Sequence, residues 1–187
     1  MSYKIKYINL QAQHNSIKKE IKKKIESIFA KSAFILRKEV LDFEKKITKL
    51  LKVKYCASLN SGTDALLMSL SQLNIKKGDE ILVPSHTYVA SVSAIKHVGA
   101  EPVFIDIRND FNLDPNEISK KITRKTKAIM VVHLNGRCCE MDIVMKLAKK
   151  YKLQVIEDGA QAFGSKFKNK HAGTFGSSGA FSLHPMK

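Results

Sequence analysis

Four short segments carry side chains able to do chemistry. Ser61-Gly62-Thr63-Asp64 opens a stretch of helical pattern. Small residues there let a ligand approach the backbone, and the first helical amides lack partners, so an anion such as phosphate suits the turn. An ordinary N-cap, with Ser or Thr accepting from those amides, uses the same residues. His86-Thr87-Tyr88 follows the run EILVPS and again opens a helical pattern. Tyr88 offers either a flat face for stacking a ring or one more core side chain. Glu157 and Asp158 close the run LQVIED, ahead of Gly159-Ala160-Gln161. A carboxylate at a buried strand end is costly unless a cation or hydrogen-bond donors answer it. A protonated ring nitrogen is one answer and backbone amides are another. Last come Ser182, His184, Pro185 and Lys187 in GAFSLHPMK. A lysine is ordinarily surface charge, and Lys187 draws its interest from the other three segments.

The elements that must position these residues alternate in type. YCASLN, EILVPS, EPVFIDI, TKAIMVVH, LQVIED and GAFSL read as strands, several of them almost continuously apolar, as strands covered on both faces are. TDALLMSLSQL, residues 87–98, DPNEISKKI and MDIVMKLAKKY read as helices between them. Alternation of this kind predicts an α/β fold, a mostly parallel sheet with right-handed crossovers. On such sheets ligands gather at the carboxyl ends of the strands, where each of the four segments falls.

The chain has 187 residues, 33 Lys plus Arg against 17 Asp plus Glu, and 44% apolar residues, enough for a packed core in one domain. Residues 1–60 hold 15 basic and 5 acidic side chains against 18 and 12 in the remainder, so the charge excess sits near the N-terminus. Much of it lies in SIKKEIKKKIESIFAKS, where Ile17, Ile21, Ile25, Ile28 and Phe29 share a helical stripe. A solvated amphipathic helix is the leading reading, and an anionic partner the alternative. Lys outnumbers Arg 29 to 4, which argues against base-specific nucleic-acid readout. No apolar run approaches a membrane span and MSYKIKYINL has no signal-type apolar region, so a cytoplasmic location with no membrane partner is expected. Cys56, Cys138 and Cys139 are expected to be free thiols.

Six ordered blocks, NSGTDAL, GDEILVPSHTYVASVSAI, GAEPVFIDI, TKAIMVVHLNG, VIEDGAQAFG and GTFGSSGAFSLHPMK, resemble the DegT/DnrJ/StrS family of sugar aminotransferases. The resemblance runs from about residue 7 to the last residue. It implies the large domain of a pyridoxal 5'-phosphate enzyme of fold type I, with a three-layer α/β/α architecture. By position, Lys187 matches the lysine that forms the Schiff base, and Asp158 the carboxylate facing the pyridine nitrogen. Gln161 matches the residue beside the phenolic oxygen, Tyr88 the stacked aromatic, and Gly62, Thr63 and Ser182 the phosphate ligands. The implied reaction passes an amino group from glutamate to the cofactor and then to a nucleotide-linked keto sugar, in amino-sugar and polysaccharide biosynthesis. A homodimer is implied as well.

Members of that family are about twice as long. The expectation is that residues 1–187 are the N-terminal portion of the large domain, with residues 1–30 as arm and helix. The C-terminal small domain then lies outside this sequence, and the fragment alone is inactive. Asn135 departs from the pattern, standing in HLNG where an aromatic is common. His133 lies near Cys138 and Cys139, too loose a cluster for a metal site. A sugar dehydratase of the same family is the runner-up, but a histidine replaces the lysine in those relatives. A basic nucleic-acid-binding protein is the distant alternative.

Overall fold

The computed structural model describes residue 5 and residues 8–35 and 37–187 of the chain. Part of the expected N-terminal arm, residues 1–4, 6 and 7, lies outside the described residues. Two compact units divide the chain, residues 1–58 and 59–187.

In the first unit α1 spans Leu10–Ala30 and α2 spans Lys38–Leu51. Asn9 caps α1 by accepting from the Ala12 amide at 3.1 Å. The amphipathic pattern holds, yet no side chain of α1 is buried. α2 was not anticipated from the sequence. It stops at Lys52, which turns left-handed at φ 56° and donates its amide to the Thr48 carbonyl. YCASLN, expected as a strand, runs without ladder pairing. β-propensity needs a neighbouring strand to act on, and here the Ser58 amide is taken by the Glu44 carboxylate at 2.7 Å.

The second unit is built on a five-stranded sheet. Its strands are β1 (Glu80–Pro84), β2 (Glu101–Ile105), β3 (Thr126–Val132), β4 (Gln154–Asp158) and β7 (Ser178–Ala180). They run in the order β2-β1-β3-β4-β7, every pairing parallel. A short antiparallel pair, β5 (Lys166–Phe167) and β6 (Lys170–His171), precedes β7. The helices are α3 (Gly62–Ser71), α4 (Val89–His97), α5 (Pro115–Lys121) and α6 (Met141–Tyr151).

Side chains alternate across the sheet with the period of two that a pleated strand imposes. Ile81, Val83, Ala128, Met130 and Ile156 pack with Leu66, Leu70, Ala94 and Ile95 of α3 and α4. Leu82, Ile129, Val131 and Val155 pack with Ile118 of α5 and Met141, Val144 and Ala148 of α6. Both faces are therefore covered, which is the three-layer α/β/α architecture that the near-continuous apolar runs implied. Among the described residues no helix is long and apolar enough to cross a membrane.

Candidate functional site

Register brings the carboxyl ends of three strands together. β4 pairs with β3 so that Asp158 stands beside Val132, and with β7 so that Asp158 stands beside Ala180. The chain leaves each strand at the same edge, through His133 after β3, Gly159 after β4 and Phe181-Ser182 after β7.

The two acids ending β4 point to opposite faces and meet different partners. Glu157 has no solvent exposure. Its Oε1 accepts from the amides of Phe175 and Gly176, each at 2.6 Å, and its Oε2 accepts from the Gly173 amide at 2.7 Å. His133 Nε2 lies 2.9 Å from Oε2. Because His133 Nδ1 accepts from the Cys139 amide at 3.1 Å, the ring proton of the neutral tautomer sits on Nε2 and is donated to Glu157. Four donors thus saturate this carboxylate, the backbone-amide outcome left open by the sequence.

Asp158, 5% exposed, is answered differently. Its Oδ2 accepts from Ser91 Oγ at 2.8 Å and its Oδ1 from the Ala160 amide at 3.1 Å. An ionised carboxylate offers about four acceptor sites, so capacity for a further donor remains. No cation pairs with it among the described residues.

The N-cap reading of residues 61–64 is observed. Ser61 caps α3, its Oγ accepting from the Asp64 amide at 3.0 Å. The amides of Gly62 and Thr63 meet no acceptor among the described residues and head the helix. Gly62 packs so closely on the loop after β7 that an added Cβ would lie 3.2 Å from Ser182 Cβ and 3.4 Å from the Phe181 carbonyl. Gly62, Thr63 and Ser182 are thereby one locality.

Tyr88 is the N-cap of α4 and is exposed rather than core, and Lys187 Nζ lies over its ring, 5.5 Å from the centroid. Backbone bonds shape the approach to Lys187. The His184 amide donates to Ser182 Oγ at 3.3 Å, and the Lys187 amide to the His184 carbonyl at 2.9 Å. Gln161 is tied to the loop after β3, its Oε1 accepting from the Asn135 amide at 2.9 Å. Asn135 sits at φ 52°, a left-handed conformation that Asn tolerates better than most residues. His86 is exposed beside Phe111, ring centroids 5.8 Å apart, and joins none of these contacts.

Three supporting groups escaped the sequence reading. Ser91 lies in a stretch read only as helix, Thr87 stands in His86-Thr87-Tyr88 with no role of its own assigned, and a hydroxyl carries no pattern that marks a long-range bond. Asn112, 1% exposed, accepts from the Leu134 amide at 3.1 Å and donates to the Arg137 carbonyl at 3.3 Å, so it shapes the turn that presents Asn135. Nothing local in FNLD advertises that role. His133 has both ring nitrogens engaged, and no group of three or more metal-ligating side chains occurs among the described residues.

Cys56, Cys138 and Cys139 are free thiols. Burial above all, with Asp110 and Cys138 adding, pushes the Cys139 thiol up to about 12. Burial and then Glu157 raise Cys138, and burial and then Glu44 raise Cys56.

Residues 15–187 match the DegT/DnrJ/EryC1/StrS aminotransferase family profile. A dTDP-3-amino-3,6-dideoxy-alpha-D-galactopyranose transaminase of Aneurinibacillus thermoaerophilus is 43% identical over 181 residues, 96% of this chain and 50% of the relative. A GDP-perosamine synthase of Escherichia coli O157:H7 is 49% identical over 146 residues, 78% of this chain and 40% of the relative. The crystal structure of S. venezuelae DesV in complex with ketimine intermediate matches with a TM-score of 0.95 at 35% identity, covering 100% of this chain and 50% of that one. The chain spans about half the length of the curated relatives it matches.

Proposed function

Because this chain belongs to the DegT/DnrJ/EryC1/StrS aminotransferase family, we propose that it carries the cofactor-binding half of a pyridoxal-phosphate-dependent aminotransferase acting on a nucleotide-linked keto sugar. Residues 1–187 are then the N-terminal portion of the large domain, completed by a C-terminal small domain. The relatives' names support the substrate class, one specifying a dTDP-linked sugar and another a GDP-linked one. Glutamate as donor, homodimer assembly, a cytoplasmic location and a place in polysaccharide biosynthesis belong to the same proposal.

The observation that carries it is Asp158, a nearly buried carboxylate held by two neutral donors and with acceptor capacity left over. Such a group suits a protonated ring nitrogen better than it suits solvent. The rest of the locality fits pyridoxal phosphate too. The amides of Gly62 and Thr63, with Ser182 packed against them, would hold the phosphate at the positive end of α3. Tyr88 would stack on the ring and Gln161 would bond its phenolic oxygen.

When bound, the cofactor supplies an aldehyde carbon that takes an amine and a ring that stores an electron pair. The protein's part is positioning and proton handling. Asp158 would keep a proton on the pyridine nitrogen of the bound cofactor. Lys187 Nζ, a primary amine over the Tyr88 face, would hold the cofactor covalently at rest and, once released, move a proton between the donor carbon and the cofactor carbon. The lysine at this position favours transamination over the dehydratase alternative.

Borohydride reduction of the full chain with pyridoxal phosphate, followed by peptide mass spectrometry, is expected to label Lys187. Label on other lysines alone, or unchanged labelling in Lys187→Ala, would overturn the assignment.

A further inference from the structure

The route by which Asp158 is held suggests a role for two hydroxyls outside the site. We propose that Thr87 and Ser91 form a hydroxyl relay that aims the Asp158 carboxylate at the ring nitrogen. Both act as positioning residues, and the inference rests on the reading of Asp158 given above.

Ser91 has no solvent exposure, and its Oγ lies 2.8 Å from Asp158 Oδ2 and 2.8 Å from Thr87 Oγ1. A serine hydroxyl has one hydrogen, and an ionised carboxylate only accepts, so that hydrogen goes to Asp158. The Ser91 oxygen must then accept from Thr87, which fixes the direction of both bonds. Chained hydroxyls polarise one another, and a bond to a charged acceptor is stronger than a neutral one.

Serine within a helix usually bonds back to a carbonyl of the preceding turn. Ser93 in the same helix does so, donating to the Ala90 carbonyl at 3.2 Å. Ser91 instead reaches across to β4. Thr87 lies in the bend just before the N-cap Tyr88, and Ser91 lies in the first turn of α4 that the cap opens. One helical turn therefore sets both the stacking ring and the carboxylate, and movement of one displaces the other. With Ser91 removed, the Ala160 amide alone would hold Asp158, leaving the carboxylate able to swing about χ2.

The test is a titration of the full chain with pyridoxal phosphate, followed by absorbance, for Thr87→Val, Ser91→Ala, their double variant and the hydroxyl-restoring Thr87→Ser. Thermal unfolding of each cofactor-free protein runs alongside. Expected are a roughly threefold loss of affinity in Thr87→Val and about tenfold or more in Ser91→Ala. Thr87→Ser should match the unaltered chain. The double variant should be no weaker than Ser91→Ala, since Thr87 acts only through Ser91. If Ser91→Ala does not fold, the contrast between Thr87→Val and Thr87→Ser decides the matter. Equal affinities across the series, or losses that simply add, would overturn the relay while leaving the site assignment standing. No uptake by the unaltered chain would overturn the assignment, and the relay with it.

Discussion

His133 donates through Nε2 to Glu157 Oε2 at 2.9 Å, with both side chains wholly out of solvent. The pair links the end of β3 to the end of β4, and Glu157 extends the link to the loop 173–176 that leads into β7. Ser182 and Lys187 follow β7 directly. A latch outside the site thus sets the path of the segment that carries them.

Breaking the latch should be costly. Glu157→Gln sets an NH2 group against N–H donors in either orientation, Phe175 and Gly176 on one side or Gly173 and His133 on the other, in a fully buried place. About 3 kcal/mol of stability should be lost in urea unfolding, and less in His133→Ala, which leaves three of the four donors in place. A Glu157→Gln cost within error of zero would mean the loop is held by packing alone.

Two glycines at similar backbone angles should respond differently to alanine. Gly173 has φ 80° and Phe181 lies against it, so that a Cβ would run into the ring. Gly164 has φ 85° with nothing within 4 Å. Gly164→Ala should cost about 1 kcal/mol, the strain of the left-handed conformation alone. Gly173→Ala should cost roughly 2–4 kcal/mol, adding the clash. Equal thermal shifts for the two would contradict the packing of Phe181.

The thiols should be poor nucleophiles. With its pKa pushed up to about 12, buried Cys139 should resist iodoacetamide at pH 8 in the folded protein and react once unfolded. Cys56 and Cys138, both partly exposed and both raised, should label slowly. The linkage has a definite sign. A thiol raised in the folded state favours folding fully below its unfolded value near 9, and that contribution is lost as pH climbs from there toward 12. Stability that keeps rising through this window in a Cys139-dependent way would be inconsistent with the burial described.

Gln161 offers a test that separates support from function. Its Oε1 accepts from the Asn135 amide, but Asn135 is exposed and water can replace that bond. Gln161→Leu should therefore change stability by less than about 1 kcal/mol while weakening uptake of pyridoxal phosphate. A large stability loss with unchanged uptake would reverse the assignment and make Gln161 a loop clasp only.

Much of this protein is legible along the chain because the signals are local. The apolar runs of β1, β3 and β4, the Ser61 cap, the start of α5 at Asp114-Pro115 and the stripe of α6 each follow from contacts within a few residues. The residues proposed for the site stand in ordered blocks, Asp158 closing β4 and Ser182 just after β7, whereas the turn at Gly62 follows a segment that forms no strand. Local propensity also misled, for YCASLN has the composition of a strand and no strand beside it, and α2 has a helical stripe that went unread.

Along the chain alone one can read which groups are on offer, the amine of Lys187, the carboxylate of Asp158 and the helix-start amides at Gly62, since these are properties of residue type and of helix starts. How they are held emerges once the chain has folded. Register placed Asp158 beside Ala180, packing pressed Gly62 on Ser182, and bonds spanning 67 residues from Ser91 to Asp158 and 24 from His133 to Glu157 chose the partners of two adjacent acids. A hydrogen bond depends on distance and direction in space, and neither is written into the order of residues until the sheet has formed.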